Sequence, residues 1–204
     1  MANRIVFIDS HIANFQTLTA QLPQRTEAIL LNAEHHGINQ ILTTLQGRTS
    51  LSAIDIITHG SPGTITLGSG VLNNDNIDDF AQQLEQIGQH LEEDGDILLY
   101  GCEVAKGESG QAFIERIAQL TRAHVAASTN LTGSAELNGD WVLEAHMGKI
   151  QAEALQFSYD GVLAIIDGTP NDDTLTGTVE DDVLTGGAGN DLLMPGRLNQ
   201  KEDL

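Results

Sequence analysis

Basic residues and cysteine are scarce in this chain of 204 residues, and each scarcity excludes a class of protein. Nine Lys and Arg stand against 29 Asp and Glu, which gives a formal net charge of −20. A surface this acidic repels the phosphates of nucleic acids and of anionic lipids, so we expect no nucleic-acid partner. The single cysteine, Cys102, excludes an intrachain disulfide framework and a zinc site built from cysteines.

Long apolar runs are also missing from the sequence. Residues 162–166 form one of the longest runs, and they fall far short of the roughly 18 apolar residues that a membrane-spanning helix needs. We therefore expect no membrane insertion. The N-terminus lacks the charged region, the long apolar stretch and the small-residue cleavage site of a secretory signal, so we expect any export to use another route.

The sequence does contain the pattern of an α/β domain over residues 1–160. Runs of β-branched apolar residues alternate with segments of helical periodicity, as expected for a mostly parallel sheet flanked by helices. The predicted elements are strands at residues 5–8, 28–31, 54–57, 97–100, 125–128 and 141–144, helices around residues 38–45, 80–91 and 113–120, and a hairpin at residues 64–72. We expect a sheet of five or six strands, with the last strand at an edge and helices on both faces.

The composition changes after residue 160, which predicts a domain boundary. Residues 161–194 contain seven acidic residues and no Lys or Arg, and they include three nonapeptides that begin at Gly168, Gly177 and Gly186. The nine-residue period fails beyond them, and the polar residues 195–204 are predicted to be a disordered tail. The chain is thus predicted to consist of an α/β domain, a repeat region and a tail.

The third nonapeptide begins Gly-Gly-Ala-Gly-Asn-Asp and resembles the calcium-binding repeat of RTX proteins. In that family each repeat forms a turn and a short strand, and calcium lies between alternate turns on one side of a β-roll. Ca²⁺ takes six to eight oxygen ligands, so one turn cannot hold it alone. The resemblance implies one complete site, while Asp182 would face the opposite side without a second turn. The residues implied at this site are Gly168, Asp172, Asp173, Gly186 and Asp191.

The first two nonapeptides depart from the repeat pattern, because residues 170–171 and 179–180 replace its middle glycine region. A flexible acidic tail is therefore an alternative interpretation of equal weight. The recurrence of Leu175, Leu184 and Leu193 favours a short β-roll fragment, since a solvated linker has no need for an inward leucine in every repeat.

Two of the predicted strands end next to reactive side chains. Residues 54–58 lead into His59 and Gly60, and residues 97–100 lead into Gly101 and Cys102. Carboxyl ends of neighbouring parallel strands meet at one edge of a sheet about 4.8 Å apart, so we expect the thiol and the imidazole to lie within reach of each other. A Cys beside a His is the minimal pair for nucleophilic catalysis. In this interpretation we expect the backbone amides of Gly60 and Cys102 to face a developing oxyanion.

The same residues also have a purely structural interpretation. A buried Cys at the end of a strand is commonly a small core residue, and a His before Gly commonly belongs to a turn. The spacing alone leaves both interpretations open.

Several blocks of the sequence, taken in order, resemble a known family. The blocks are residues 7–10, 37–41, 59–63, 98–105, 126–128, 131–133 and 139–141. They are similar to DUF4347, a domain of unknown function found near the N-terminus of large bacterial surface proteins, over about residues 4–160. The two strand ends also resemble those of the caspase-like cysteine peptidases. These resemblances imply a caspase-like fold with Cys102 as nucleophile, His59 as acid and base, and the Gly60 and Cys102 amides as oxyanion hole.

Asp9 follows the first predicted strand, where related peptidases that cut after basic residues often carry an acidic group. The resemblance therefore implies a substrate-binding (S1) role, in which the carboxylate pairs with an Arg or Lys side chain of the substrate. The alternative, which the sequence favours, is that Asp9 caps the helix that follows, with assistance from Ser10.

These features predict a cysteine endopeptidase domain at the N-terminus of an exported calcium-binding RTX protein. Its expected substrate is a polypeptide, which can be its own chain. The alternative is a catalytically inactive caspase-like module that serves recognition or sorting. RTX proteins typically leave the cell through a type I system, so we expect an extracellular or cell-surface protein that is cytoplasmic before export.

Overall fold

A six-stranded sheet forms the centre of the first domain. The computed structural model describes residues 3–167, 174–176, 183–185 and 190–194. Its strands are β1 (Arg4–Asp9), β2 (Thr26–Leu31), β3 (Leu51–Ile57), β4 (Gly60–Ser61), β5 (Thr64–Leu67), β6 (Gly70–Asn73), β7 (Leu91–Tyr100), β8 (His124–Ala127), β9 (Ala145–Met147), β10 (Ile165–Asp167), β11 (Thr174–Thr176), β12 (Val183–Thr185) and β13 (Leu192–Met194). Its helices are α1 (Phe15–Ala20), α2 (Gly37–Leu45), α3 (Ala81–Gly88) and α4 (Gly107–Thr121), with short 3₁₀ helices at Ile77–Phe80 and Ala135–Leu137.

The strands of the central sheet lie in the order β2, β1, β3, β7, β8 and β9. All neighbouring pairs are parallel except β8 with β9. β1, β3 and the second half of β7 are buried, because their sequences are almost wholly apolar and both faces of the sheet are covered. β4, β5 and β6 form a separate antiparallel sheet that is inserted after β3. The predicted fold class, a mostly parallel sheet flanked by helices, is confirmed.

The two faces of the central sheet are covered differently. On the first face, α2, α3 and α4 pack against the strands through one apolar core. On the second face, α1 contributes Leu18, and most of the cover comes from chain without regular structure. Residues 150–164, which we call the crossing segment, supply buried side chains there at every second position, namely Leu155, Phe157 and Tyr159.

Polar side chains of β7 fix the path of the crossing segment. Asp96 Oδ2 accepts hydrogen bonds from the amides of Gln151 and Ala152 at 2.9 and 2.6 Å. Further along β7, the Tyr100 hydroxyl accepts a hydrogen bond from the Leu155 amide at 2.7 Å. Burial raises the pKa of Tyr100, so this hydroxyl is neutral. The crossing segment therefore runs along β7 toward the carboxyl ends of the parallel strands.

Two predicted elements are displaced in the structure. The edge strand predicted at residues 141–144 is found instead at β9, because Trp141 and Leu143 are buried on the second face. Leu91 was predicted to end the apolar stripe of the helix at residues 80–91. In the structure it begins β7 and pairs with Leu51. In both cases an apolar residue fits the predicted period but packs in a neighbouring part of the fold.

The described residues of the repeat region form two parallel strand pairs. β10 pairs with β12 and β11 pairs with β13, and each register joins residues that are two nonapeptides apart. Such alternation is the geometry expected of a β-roll, in which every second strand lies on the same side. The predicted tail at residues 195–204 lies outside the described residues.

A buried ion pair joins β1 to β3 on the second face. Arg4 Nε and Nη2 donate to the two carboxylate oxygens of Asp55 at 2.7 and 2.6 Å. Arg4 Nη1 also donates to the carbonyl of Glu153 in the crossing segment at 2.8 Å. The Asp55 side chain is fully buried, so Arg4 both neutralises its charge and anchors the crossing segment.

We expect Arg4→Ala to lower the free energy of unfolding by about 3–5 kcal/mol, because it leaves a buried carboxylate without a partner. The matched control is Arg48→Ala, which removes the partly exposed pair of Arg48 with Glu27 and is expected to cost less than about 1 kcal/mol. Urea unfolding followed by circular dichroism measures both. Equal losses in the two variants would contradict this assignment.

Candidate functional site

His59 and Cys102 follow two strands that are direct neighbours in the central sheet. β3 and β7 pair in parallel, with Ile57 opposite Tyr100 at their carboxyl ends. The pairing continues one residue further, where the Thr58 amide donates to the Tyr100 carbonyl at 2.9 Å. His59 and Cys102 each lie two residues beyond the last paired positions, so the sheet delivers both to the same edge.

The backbone amides of Gly60 and Cys102 converge on one oxygen atom. Both donate hydrogen bonds to the carbonyl of Leu163, at 2.9 Å from Gly60 and 3.0 Å from Cys102. Two amides that come from separate strand ends and meet at one carbonyl oxygen form the arrangement of an oxyanion hole. In this structure the crossing segment itself occupies that position.

Gly60 has no side chain, and the close packing of the two strand ends depends on this. A Cβ atom placed at this position would lie 2.6 Å from Val104 Cγ2 and 3.1 Å from the Cys102 carbonyl oxygen. Any larger residue would therefore push the Gly60 amide away from the Cys102 amide. The glycine permits contact between the two loops rather than extra space for a substrate.

The Cys102 thiol is enclosed by the loop that contains Thr132. Sγ accepts a hydrogen bond from the Thr132 amide at 3.2 Å and lies 3.5 Å from the Thr132 carbonyl, to which it donates. The residue is only 1% exposed, and burial raises the pKa of Cys102 to about 12. Hydrogen bonds from the backbones of Thr132 and Leu163 lower this pKa, and the charge of Glu103 raises it. The thiol is thus neutral at physiological pH in this state.

The His59 imidazole is equally buried and contacts two backbone carbonyls. Nδ1 lies 3.2 Å from the Ala164 oxygen, and Nε2 lies 3.4 Å from the His11 oxygen. A carbonyl oxygen only accepts hydrogen bonds, so the ring nitrogen that carries the proton in the neutral imidazole donates to its carbonyl. The ring is therefore held between the loop after β1 and the end of the crossing segment.

The end of the crossing segment lies extended between two loops. On one side Gly133 pairs with Val162, and the Leu163 amide donates to the Thr132 carbonyl at 2.9 Å. On the other side Gly60 forms a parallel bridge with Ala164. The Leu163 side chain is fully buried. Residues 162–164 are therefore bound by backbone hydrogen bonds as a peptide would be bound in a cleft.

Asp9 has protein partners for both carboxylate oxygens. Oδ1 accepts from the His11 amide at 2.9 Å and lies 2.6 Å from His11 Nδ1, while Oδ2 accepts from the Gly68 amide at 2.5 Å. The proposed capping role is wrong, because α1 begins only at Phe15, with Asn14 as its N-cap residue. Asp9 instead ties the end of β1 to the hairpin of β5 and β6. Its substrate-binding role stays a prediction.

Three residues of this site were not among those predicted from the sequence. Thr132 contacts the thiol, Leu163 occupies the two amides, and Ala164 contacts His59. Thr132 lies in one of the blocks that carry the family resemblance, which was the available signal for it. Leu163 and Ala164 lie in the apolar run of residues 162–166, but their contact with residues 60 and 102 depends on the tertiary fold.

Of the residues predicted to bind calcium, Asp191 lies within the described residues. Gly168, Asp172, Asp173 and Gly186 lie outside them. Within the described ranges, no group of three or more His, Cys, Asp or Glu side chains is arranged to hold a metal ion. The pairing of β11 with β13 supports the predicted site, because it joins the strands that directly follow Asp173 and Asp191.

Residues 5–163 match the family model described as a domain of unknown function, DUF4347. The chain belongs to this family. The match runs from β1 to Leu163, the residue whose carbonyl accepts from Gly60 and Cys102. Among curated proteins, none matches the chain.

Residues 167–199 match the family model described as the RTX calcium-binding nonapeptide repeat. Calcium is thus confirmed as the cofactor of the region that follows the DUF4347 domain. RTX repeats indicate an extracellular protein secreted by a type I system. In the part of the chain that the structure describes, no helix is long and apolar enough to cross a membrane.

The raised pKa of Cys102 predicts a loss of stability at alkaline pH. An unfolded thiol ionises near pH 8.5, whereas the buried thiol stays protonated, so above pH 8.5 the unfolded state binds fewer protons and stability falls. Between pH 8 and pH 10 we expect Cys102 to reduce the free energy of unfolding by about 2 kcal/mol.

Urea unfolding between pH 7 and pH 10 tests this in a His59→Ala background, which removes the candidate proton-transfer group. The comparison is with the same chain carrying Cys102→Ala, in which this part of the pH dependence should be missing. Parallel stability curves for the two chains would show that the thiol is not buried as described.

Removal of a calcium ligand should weaken calcium binding by about tenfold or more, since even the loss of outer-shell partners costs about 10- to 100-fold in metal affinity. We expect this for Asp173→Ala and for Asp191→Ala, measured by isothermal titration calorimetry with Ca²⁺. Asp182→Ala is the matched control, because Asp182 is predicted to face the opposite side of the roll without a partner turn. A similar loss in all three variants would refute the predicted pairing of turns.

Proposed function

We propose that the DUF4347 domain of this chain is a cysteine endopeptidase of the caspase-like type, with Cys102 as nucleophile and His59 as proton carrier. The observation that supports this best is the convergence of the Gly60 and Cys102 amides on a single carbonyl oxygen. Hydrogen bonds to that oxygen stabilise the negative charge that develops when a thiolate attacks the carbonyl carbon.

The neighbouring groups support the same chemistry. Parallel pairing of β3 with β7 brings a Cys and a His to one sheet edge, as nucleophilic catalysis requires. The Thr132 amide donates to Sγ and favours its ionised form, which partly offsets the effect of burial. The Nε2 contact with the His11 carbonyl orients the imidazole ring. The Thr132 contact and the His11 contact come from two different loops.

A second candidate function is an inactive caspase-like module that serves recognition or sorting. The burial of both His59 and Cys102 favours it, because an external substrate has no direct access to a site that the crossing segment fills. In that case the domain would use its outer surface, and the thiol would be a core residue.

The domain would act within an exported protein. Its calcium-binding repeats place it among proteins of the type I route, and we infer that the chain is cytoplasmic before export. Its substrate is a polypeptide, and the segment that lies across the site makes its own chain the first candidate.

Cys102→Ala should abolish proteolysis of the chain, and His59→Ala should slow it by about 10²- to 10⁴-fold, the usual contribution of acid and base catalysis. The measurement is the appearance of fragments in purified chain over time, by gel electrophoresis and intact mass. His90→Ala is the matched control, since His90 Nδ1 contacts the Arg48 carbonyl away from the site. Circular dichroism checks that all three variants fold.

Fragments that form at the same rate in the wild-type and Cys102→Ala chains would point to a contaminating protease. They would also favour the inactive module over the peptidase.

A further inference from the structure

We propose that the Leu163–Ala164 peptide bond of this chain is the substrate of its own DUF4347 domain, and that the uncleaved chain is held as an enzyme–substrate complex. This inference rests on the peptidase function proposed above and adds the bond, its specificity and its product. It is carried by contacts on each side of the bond.

The carbonyl oxygen on the acyl side of the bond is already bound by the two candidate oxyanion-hole amides. Leu163 O accepts from the amides of Gly60 and Cys102 at 2.9 and 3.0 Å, within the range expected for an oxyanion hole. The Leu163 amide is held by the Thr132 carbonyl at 2.9 Å, and Thr132 also contacts the thiol on both its amide and its carbonyl. The same loop therefore positions the bond and the nucleophile relative to each other.

The side chain of Leu163 identifies the residue type that the site accepts before the bond. It is fully buried in the apolar cluster of the second face, together with Cys102, Tyr100 and Trp141. A pocket of this kind favours leucine or methionine and opposes a charged side chain. This differs from the Arg or Lys specificity implied by Asp9, whose carboxylate is occupied by His11 and Gly68.

The leaving-group side of the bond lies next to the imidazole. His59 Nδ1 is 3.2 Å from the carbonyl oxygen of Ala164, the residue whose nitrogen would depart. Ala164 is held by its bridge to Gly60, so the backbone on both sides of the bond is fixed. The imidazole thus contacts the residue that carries the leaving nitrogen, and in the proposed step it returns the proton to that nitrogen.

The chemical step is balanced with water as the only added reactant. The thiol proton passes to His59, Sγ bonds to the Leu163 carbonyl carbon, and the bond between that carbon and the Ala164 nitrogen breaks as His59 returns the proton to the amine. Water then hydrolyses the thioester, which releases the Leu163 carboxylate and restores the Cys102 thiol. The products are a domain that ends at Leu163 and a fragment that begins at Ala164.

The Leu163–Ala164 bond lies between the DUF4347 domain and the calcium-binding repeats. The DUF4347 match ends at residue 163, and the RTX repeat match begins at residue 167. Cleavage would therefore separate the α/β domain from the calcium-binding repeats at the junction between them. The strand β10 begins one residue after the bond and would remain with the repeats, where it pairs with β12.

The test follows full-length chain at pH 6 to 9, with and without calcium, by intact mass. We expect two fragments, one ending at Leu163 and one starting at Ala164, and their complete loss in Cys102→Ala. Leu163→Met should retain the cut within about tenfold in rate, because the volume is conserved. Leu163→Asp should remove it, because a carboxylate does not fit the apolar pocket.

The matched control is Leu155→Ala. Leu155 is buried in the same cluster and lies on the same crossing segment, but it is remote from the bond in sequence. Its truncation should lower stability and leave the cleaved bond unchanged. If Leu155→Ala and Leu163→Asp lose cleavage alike, the role of Leu163 is structural and the specificity assignment is overturned.

The remaining outcomes separate this inference from the proposed function. Cleavage that depends on Cys102 but occurs at another bond overturns the Leu163–Ala164 assignment and leaves the peptidase intact. If the wild-type chain stays uncleaved, the Leu163→Asp variant is incubated with a synthetic peptide of residues 158–168, which contains the Leu163–Ala164 bond. Hydrolysis of that peptide overturns only the cleavage in cis, and no hydrolysis overturns both proposals.

Discussion

Parallel pairing of β3 with β7 is the constraint on which the site depends. Because Ile57 lies opposite Tyr100, the loops after both strands start at the same level, and the amides of Gly60 and Cys102 can share one acceptor. A shift of one residue in this register would turn the alternating side chains of β7 to the opposite faces. The contacts of Asp55 with Arg4 and of Asp96 and Tyr100 with the crossing segment oppose such a shift, since their partners all lie on the second face. The core of the sheet and the geometry of the site are thus set by the same interaction.

The uneven cover of the sheet explains why the site is closed. Three helices shield the first face, whereas the second face is shielded largely by the crossing segment, whose backbone bonds go to the side chains of Asp96 and Tyr100 rather than to a strand ladder. The segment is therefore held by these side-chain contacts and by the burial of its own apolar residues in the core of the second face. Its last residues reach the carboxyl edge, where they fill the space between His59 and Thr132.

Much of the central sheet could be predicted because its strands are continuous apolar runs, and His59 and Cys102 could be predicted because they follow two of those runs. The cover of the second face could not. Leu155, Phe157 and Tyr159 alternate as in a strand, yet the segment pairs with no strand over those residues, and Trp141 misled the prediction of the edge for the same reason. The place of Leu163 in the site arises from hydrogen bonds to residues far away in the chain, which no local pattern encodes.

The carbonyl that fills the two amides belongs to the same molecule as the amides themselves. A covalently attached occupant has an effective concentration in the millimolar range or above, against which every dissolved ligand must compete. An inhibitor or a peptide probe of modest affinity would leave this occupant in place. Apparent inertness toward such reagents would then measure how firmly residues 162–164 are seated, and it would carry no information about the reactivity of the thiol beneath them.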